Sequence, residues 1–246
     1  MPTDPAIRLS VVIPAFNETQ RLPRTLTDVL GYLGRQPYGA EVVVVDDGST
    51  DETARLVREW PAAKTPLRLA AHPDGRNHGK GATVRRGMGE AVGQYRLFMD
   101  ADNSTTLDHV ERFWPFTEQG FDVVIGSRDI GGAEVVVHQS WYKELGGKVG
   151  NLIIRALVLP GIADTQAGFK MFSARCVEAI LPRLSIERWG FDIELLVAAR
   201  CQGFTVQEVP VVWRNDANSK VPALAYVEVL GDVWRVRRRR NAGLYF

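Results

Sequence analysis

Three short apolar runs, each ending in a polar turn, constrain the fold of this chain more than any other feature. Residues 9–14 (LSVVIP) open onto Ala15-Phe16-Asn17-Glu18, residues 41–45 end at Asp46-Asp47-Gly48-Ser49-Thr50, and residues 96–99 run into Asp100-Ala101-Asp102. Their length and β-branched content read as buried strands. Helical stretches are expected at about 19–33, 51–60 and 81–92, with Thr50 or Asp51 as N-cap of the second. Further strands are expected at 67–71 and 123–126, and the Gly-, Asn- and His-rich 73–81 reads as a loop. Strands alternating with helices predict an α/β fold with a mostly parallel central sheet flanked by helices. In such a sheet ligands sit beyond the carboxyl ends of the strands, where the three polar turns fall.

Composition narrows the class. At 246 residues, 45% apolar and 24% charged, the chain suits a single α/β domain with a sizeable core. The net charge of +1 argues against nucleic acid as a partner. Cys176 and Cys201 cannot build a disulfide framework or a four-thiolate zinc site, and a reducing, cytoplasmic compartment fits. The N-terminal residues carry no apolar signal region, and no uncharged apolar run reaches the ~18 residues of a spanning helix. The charge is unevenly placed. The last twelve residues hold five arginines and no acid, which leaves the preceding 234 at −4.

The acidic pairs carry the chemistry. Asp100 and Asp102, one residue apart at a strand end, can share a hard divalent cation, Mg²⁺ or Mn²⁺, with substrate phosphates and water completing its shell. A structural alternative is capping of the following helix by Asn103, Ser104 or Thr105. Asp46 can accept hydrogen bonds from a base or ribose, and Gly48 permits the sharp turn after it. No G-x-G-x-x-G follows the first strand, which disfavours a dinucleotide dehydrogenase.

Taken in order, VVIPAFNE at 11–18, VVVDDGSTD at 43–51 and Asp100-Ala101-Asp102 resemble the signature of family 2 glycosyltransferases with the GT-A fold. NHGKGA at 77–82, GSR at 126–128, DTQAGFK at 164–170, RWGFDIELL at 188–196 and NSK at 218–220 make the chain similar to dolichyl-phosphate β-glucosyltransferases, and more loosely to dolichyl-phosphate mannose synthases. The resemblance implies a Rossmann-like GT-A domain over 1–222. It also implies inverting transfer of a hexose, glucose from UDP-glucose, to a polyprenyl phosphate. Pro14, Ala15, Asn17, Glu18, Asp46 and Asp47 would frame the nucleoside, Lys80 and Ala101 would contact the donor, and Asp100 and Asp102 would hold the metal.

A phosphate monoester has a second pKa of about 6 and needs no base at neutral pH, but it does need cations. Arg128 suits that role, since guanidinium grips phosphate bidentately. Lys143, where the family often has arginine, and Lys220 are the other candidates. Asp192 is left with three readings: a base for a hydroxyl acceptor, a group orienting the acceptor, or a helix cap, the last two favoured for a phosphate acceptor. Asp164 either supports the acceptor pocket or caps a turn. His78 and His138 pair with no nucleophile. Two rival functions remain: a family 2 enzyme with a soluble hydroxyl acceptor, and a nucleotide-binding module without transfer.

A polyprenyl acceptor resides in a bilayer. In 223–246, Leu224, Val227, Leu230 and Trp234 recur at helical spacing before the arginines. This is either an interfacial helix recruiting the enzyme peripherally to the cytoplasmic membrane face, or a stripe packed on the domain with a solvated arginine tail. A separate anchoring partner is a further route. Residues 148–163 are also apolar, but Arg155 and Pro160 interrupt them, which reads as a buried or interfacial helix.

Overall fold

The computed structural model describes residues 6–137, 141–214 and 225–246; within these, the side chains at 137, 141–146, 148–149 and 225–227 are not described. The N-terminal half alternates strand and helix as expected: β1 (Leu9–Ala15), α1 (Leu22–Leu33), β2 (Ala40–Asp46), α2 (Thr53–Arg58), β3 (Leu67–Ala71), α3 (Lys80–Glu90) and β4 (Tyr95–Met99). A 3-10 turn (Leu107–Arg112), α4 (Trp114–Glu118), β5 (Val123–Ser127), β6 (Glu134–Val137) and α5 (Trp141–Leu157) follow. The chain then forms β7 (Phe169–Ser173), α6 (Ala174–Ile180), α7 (Phe191–Cys201), β8 (Val206–Pro210), β9 (Val212–Arg214) and α8 (Ala225–Asn241).

Seven strands form one sheet in the order β3-β2-β1-β4-β7-β5-β8, and β6 and β9 pair as a separate parallel ribbon. Every residue of β2 is buried, which explains its continuous valine run: both faces of a central parallel strand are covered. Alternate residues feed two cores. Val12, Val43, Val45 and Phe98 lie on the side of α3, α7 and α8, and Val11, Ile13, Val42 and Val44 on the side of α1.

Two features of this topology position the site. The strand order reverses at β1, which pairs with both β2 and β4, so a crevice opens beyond the carboxyl ends of β1 and β4. β7 runs antiparallel to both β4 and β5. Its leading turn, 164–168, therefore arrives at the end of the sheet from which Asp100 and Arg128 leave.

Several sequence expectations need correction. The first helix begins at Leu22, because 19–21 form a turn. The second is only Thr53–Arg58, and its N-cap is Glu52 rather than Thr50 or Asp51; Asp51, one residue further out, accepts the Thr53 amide at 3.0 Å. Asn103, Ser104 and Thr105 cap no helix: the 3-10 turn has Thr106 at its N-cap without a side-chain bond, and Asn103 instead donates to Asp28 at 2.9 Å. Asp192 is not a cap either, since α7 starts at Phe191 with Gly190 as its N-cap.

Candidate active site

The turn after β1 is stitched to the turn after β2. Asn17, in the left-handed region at φ 56°, accepts the Thr50 amide at 2.8 Å and donates its own amide to Ser49 Oγ. Glu18 binds the Arg21 guanidinium through both carboxylate oxygens, and its amide donates to Thr53 Oγ1. Ala15 accepts the Asp47 amide through its carbonyl at 2.9 Å, and Pro14, the strand residue before it, is partly buried. These residues shape the crevice, and the side chains of Asn17 and Glu18 are committed to the loops.

The acidic pair after β2 divides its labour. Asp47 is buried and accepts the amides of His78 (2.8 Å) and Gly79 (3.0 Å) and the amide side chain of Asn77. Its carboxylate thus fastens the loop 72–79. Asp46 is equally buried, but only Oδ2 is engaged, by the Ser49 amide at 3.2 Å. Oδ1 has no hydrogen-bond partner among the described residues. A buried carboxylate oxygen left open is costly unless a ligand donor meets it, so Asp46 is the acid of the pair equipped to bind one. Gly48, at φ 73°, closes the turn against the backbone of Arg76 and Asn77.

Beyond β4, Ala101 accepts Thr25 Oγ1 through its carbonyl at 2.7 Å, which anchors the acidic turn to α1. Asp102 accepts the Ser104 amide at 2.9 Å. Burial, reinforced by the charge of Asp100, raises its pKa above the ordinary carboxylate range. Asp100 lies against the Gly168 backbone and meets Lys80 Nζ at 2.6 Å. Burial opposes the charge on Lys80, but Asp100, Asp192 and Asp102 outweigh it, and its pKa rises. Among the described residues no three His, Cys, Asp or Glu side chains are grouped to hold a metal by themselves. The mutual strain of Asp100 and Asp102 nevertheless suits a cation whose remaining ligands are phosphate and water.

Arg128 follows β5 and meets Asp164 bidentately, Nε to Oδ2 at 2.7 Å and Nη2 to Oδ1 at 3.0 Å. Asp164 is 1% exposed. Burial would push its pKa up, but the guanidinium outweighs it and holds the carboxyl below the usual range. Asp164 also accepts the Gln166 amide at 3.3 Å, which fits its turn-capping reading. The guanidinium rests 5.3 Å from the centroid of the Trp213 ring. Its side-on fork is occupied by Asp164.

Asp192 lies buried in the first turn of α7, with Oδ1 2.5 Å from Lys170 Nζ. His78 pairs with Asp74 at 2.9 Å rather than with a nucleophile. Lys220 and His138 lie outside the described residues, as does the side chain of Lys143. Sequence reasoning assigned no role to Lys170, Gly168 or Trp213. A lysine in the otherwise apolar FKMF was the available signal for the first, because a buried lysine must be paired.

The sequence profile of glycosyl transferase family 2 matches residues 10–181. The chain belongs to this family. Curated relatives of the glycosyltransferase agree. A dolichyl-phosphate β-glucosyltransferase from Dictyostelium discoideum is 32% identical over 97% of this chain and 76% of its own length, and one from Saccharomyces cerevisiae is 32% identical over 98% and 78%. Among solved structures, glucosyl-3-phosphoglycerate synthase from Mycobacterium tuberculosis with phosphoglyceric acid superposes with a TM-score of 0.68 at 18% identity, covering 94% of this chain and 80% of the other. The same synthase has been solved with Mn²⁺, UDP-glucose and phosphoglyceric acid; it superposes at 0.67 and 18% identity, with the same coverage. The glycosyltransferase therefore has the GT-A fold, a single domain around a mostly parallel sheet.

Proposed function

We propose that this glycosyltransferase moves glucose from UDP-glucose to a polyprenyl phosphate of the dolichyl type, with inversion at the sugar. The relatives' names support the substrate pair, and the UDP-glucose complex of the mycobacterial synthase supports the donor. The observation that carries the reading is the state of Asp192. A hydroxyl acceptor needs a base, and the acid expected for that task is buried in an ion pair with Lys170. A phosphate acceptor arrives already ionised and needs none.

In this reading Asp46 receives the nucleoside in the crevice framed by Pro14 and Ala15. Asp100 and Asp102 hold Mg²⁺ or Mn²⁺, which when bound offsets the negative charge gathering on the departing diphosphate. Lys80 adds a second positive charge beside them. Arg128, held by Asp164 and backed by Trp213, presents its other guanidinium edge to the acceptor phosphate, joined by Lys143 and Lys220. The enzyme works peripherally on the cytoplasmic membrane face, because its acceptor is a lipid. No described helix is long and apolar enough to cross a membrane.

A panel of radiolabelled sugar nucleotides with polyprenyl phosphate in detergent tests the reading. UDP-glucose with divalent metal is expected to give a labelled lipid, and chelation to abolish it. Label transferred to glycerate or free sugars, and not to the lipid, would favour a soluble hydroxyl acceptor. UDP binding without transfer to any acceptor would favour a binding module.

A further inference from the structure

One fully buried cation beside the site has no part in the transfer described above. Lys170 is the second residue of β7, opposite Phe98 on β4 and Ile125 on β5, and is 0% exposed. Its ammonium donates to the Ala167 carbonyl and to Asp192 Oδ1, and lies 5.4 Å from the centroid of the Phe98 ring. Fully buried, it does not open onto the crevice itself. Its contact with the site runs through Asp192.

The charge of a second lysine also acts on Asp192. Lys80, the first residue of α3, has its Nζ on Asp100 and 5.8 Å from the centroid of the Phe191 ring, the residue preceding Asp192. Three carboxylates draw on this ammonium: Asp100, Asp192 and Asp102. Asp100 and Asp102 are the pair assigned to the donor's metal. Asp192 is the third, and it is the one with a lysine of its own. A buried carboxylate without a partner is strongly unfavourable. Without Lys170, Lys80 is the remaining lysine whose charge acts on Asp192. An ammonium captured by a buried carboxylate is lost to a diphosphate in the crevice.

We propose that Lys170 is a positioning residue: its buried ammonium engages the Asp192 carboxylate and so leaves the Lys80 ammonium to the diphosphate of the donor. The proposal rests on the reading of this crevice as a nucleotide-diphosphate-sugar site. It accounts for a buried Lys–Asp pair beside a site whose acceptor needs no base.

Calorimetric titration with UDP and with UMP, at fixed Mn²⁺, separates this role from a merely structural one. Both ligands carry the uridine and the first phosphate; only UDP has the second. Lys170→Met is expected to weaken UDP binding on the order of tenfold and to leave UMP within about twofold. Lys170→Met/Asp192→Asn, which removes the capturing carboxylate and leaves no unpaired buried charge, is expected to recover most of the UDP affinity. It also keeps the test readable if the single variant folds poorly. In a Lys80→Met background, Lys170→Met is expected to change UDP affinity by less than about twofold, because the two residues act through one ammonium. Equal losses for UDP and UMP, no recovery in the double variant, or a full effect in the Lys80→Met background would each overturn the proposal. Wild-type protein that fails to bind UDP overturns the donor reading and this inference together. Wild-type protein that binds UDP, with Lys170→Met binding it equally well, overturns this inference alone.

Discussion

Gly168 illustrates how one missing side chain places a charged one. A Cβ there would stand 1.9 Å from Asp100 Oδ2 and 2.4 Å from its Cγ, while the Asp100 amide donates to the Gly168 carbonyl at 3.2 Å. The carboxylate occupies the space that any other residue would fill. Gly168→Ala must therefore push Asp100 off its place beside Lys80. A shift of about 1 Å in a catalytic constellation can cost about a hundredfold in rate, so kcat at saturating donor is expected to fall by that order. The melting temperature should fall only modestly, as for a local overpacking of about 1–3 kcal/mol. Normal kcat in this variant would show that the position of Asp100 does not matter to turnover. At this scale the sequence revealed residue types but not their partners. Asp46 and Asp47 are adjacent and identical, yet one keeps an open oxygen and the other fastens a loop. That difference depends on where 77–79 folds back, 30 residues away, which no local pattern encodes.

Among the elements, those of the N-terminal half were legible because each buried strand is a continuous apolar run with a polar turn behind it. β7 was not. Lys170 interrupts its apolar run, and its antiparallel direction follows from a long connection through α5 rather than from any periodicity. α8 was legible as a helix but not in its orientation. Its packed face carries Val229, Val233 and Val236, whereas Leu230 and Trp234, two members of the expected apolar stripe, point outward. Leu224 lies outside the described residues, as does the Val227 side chain. Exposed Arg235 and Arg238 share the outward face, and Arg237 lies 5.6 Å from the Trp234 ring centroid. An aromatic ring ringed by arginines suits an anionic bilayer surface. Trp234→Ala/Arg238→Ala is expected to weaken co-sedimentation with phosphatidylserine vesicles. The lost arginine accounts for about 1 kcal/mol, and the loss of the exposed ring adds to it. Binding to neutral vesicles should change less, and UDP binding not at all. Unchanged sedimentation would remove this face from the membrane reading.

For the whole molecule, the uneven charge takes on a different meaning once the C-terminus is seen in place. Two of the five arginines are fastened to the body. Arg239 donates to the Arg183 carbonyl at 2.8 Å, and Arg240 donates to the carbonyls of Leu157 and Val158 at the end of α5. Beyond them Tyr245 is fully buried, and its hydroxyl donates to Glu194 Oε1 at 2.7 Å. Glu194 also accepts the amides of Ser185 and Ile186. The segment just after them supplies the Glu187 carbonyl to the Ala82 amide, in the first turn of α3. A connected set of hydrogen bonds thus leads from the last residues of the chain to the helix that carries Lys80. Cutting away 235–246 to test membrane binding would dismantle this set as well, so it is a poor probe of the surface. Tyr245→Phe removes one hydrogen bond to a carboxylate that keeps its other donors, and urea melts should register about 1–2 kcal/mol. Tyr245→Ala also empties a buried ring site, and the loss should reach about 3–5 kcal/mol. If both variants melt with the wild type, the C-terminal residues are an appendage after all. If they melt early in this order, Arg239, Arg240 and the closing tyrosine belong to the body of the enzyme, and the outward face of α8, with Arg235 and Arg238, is left to meet a membrane.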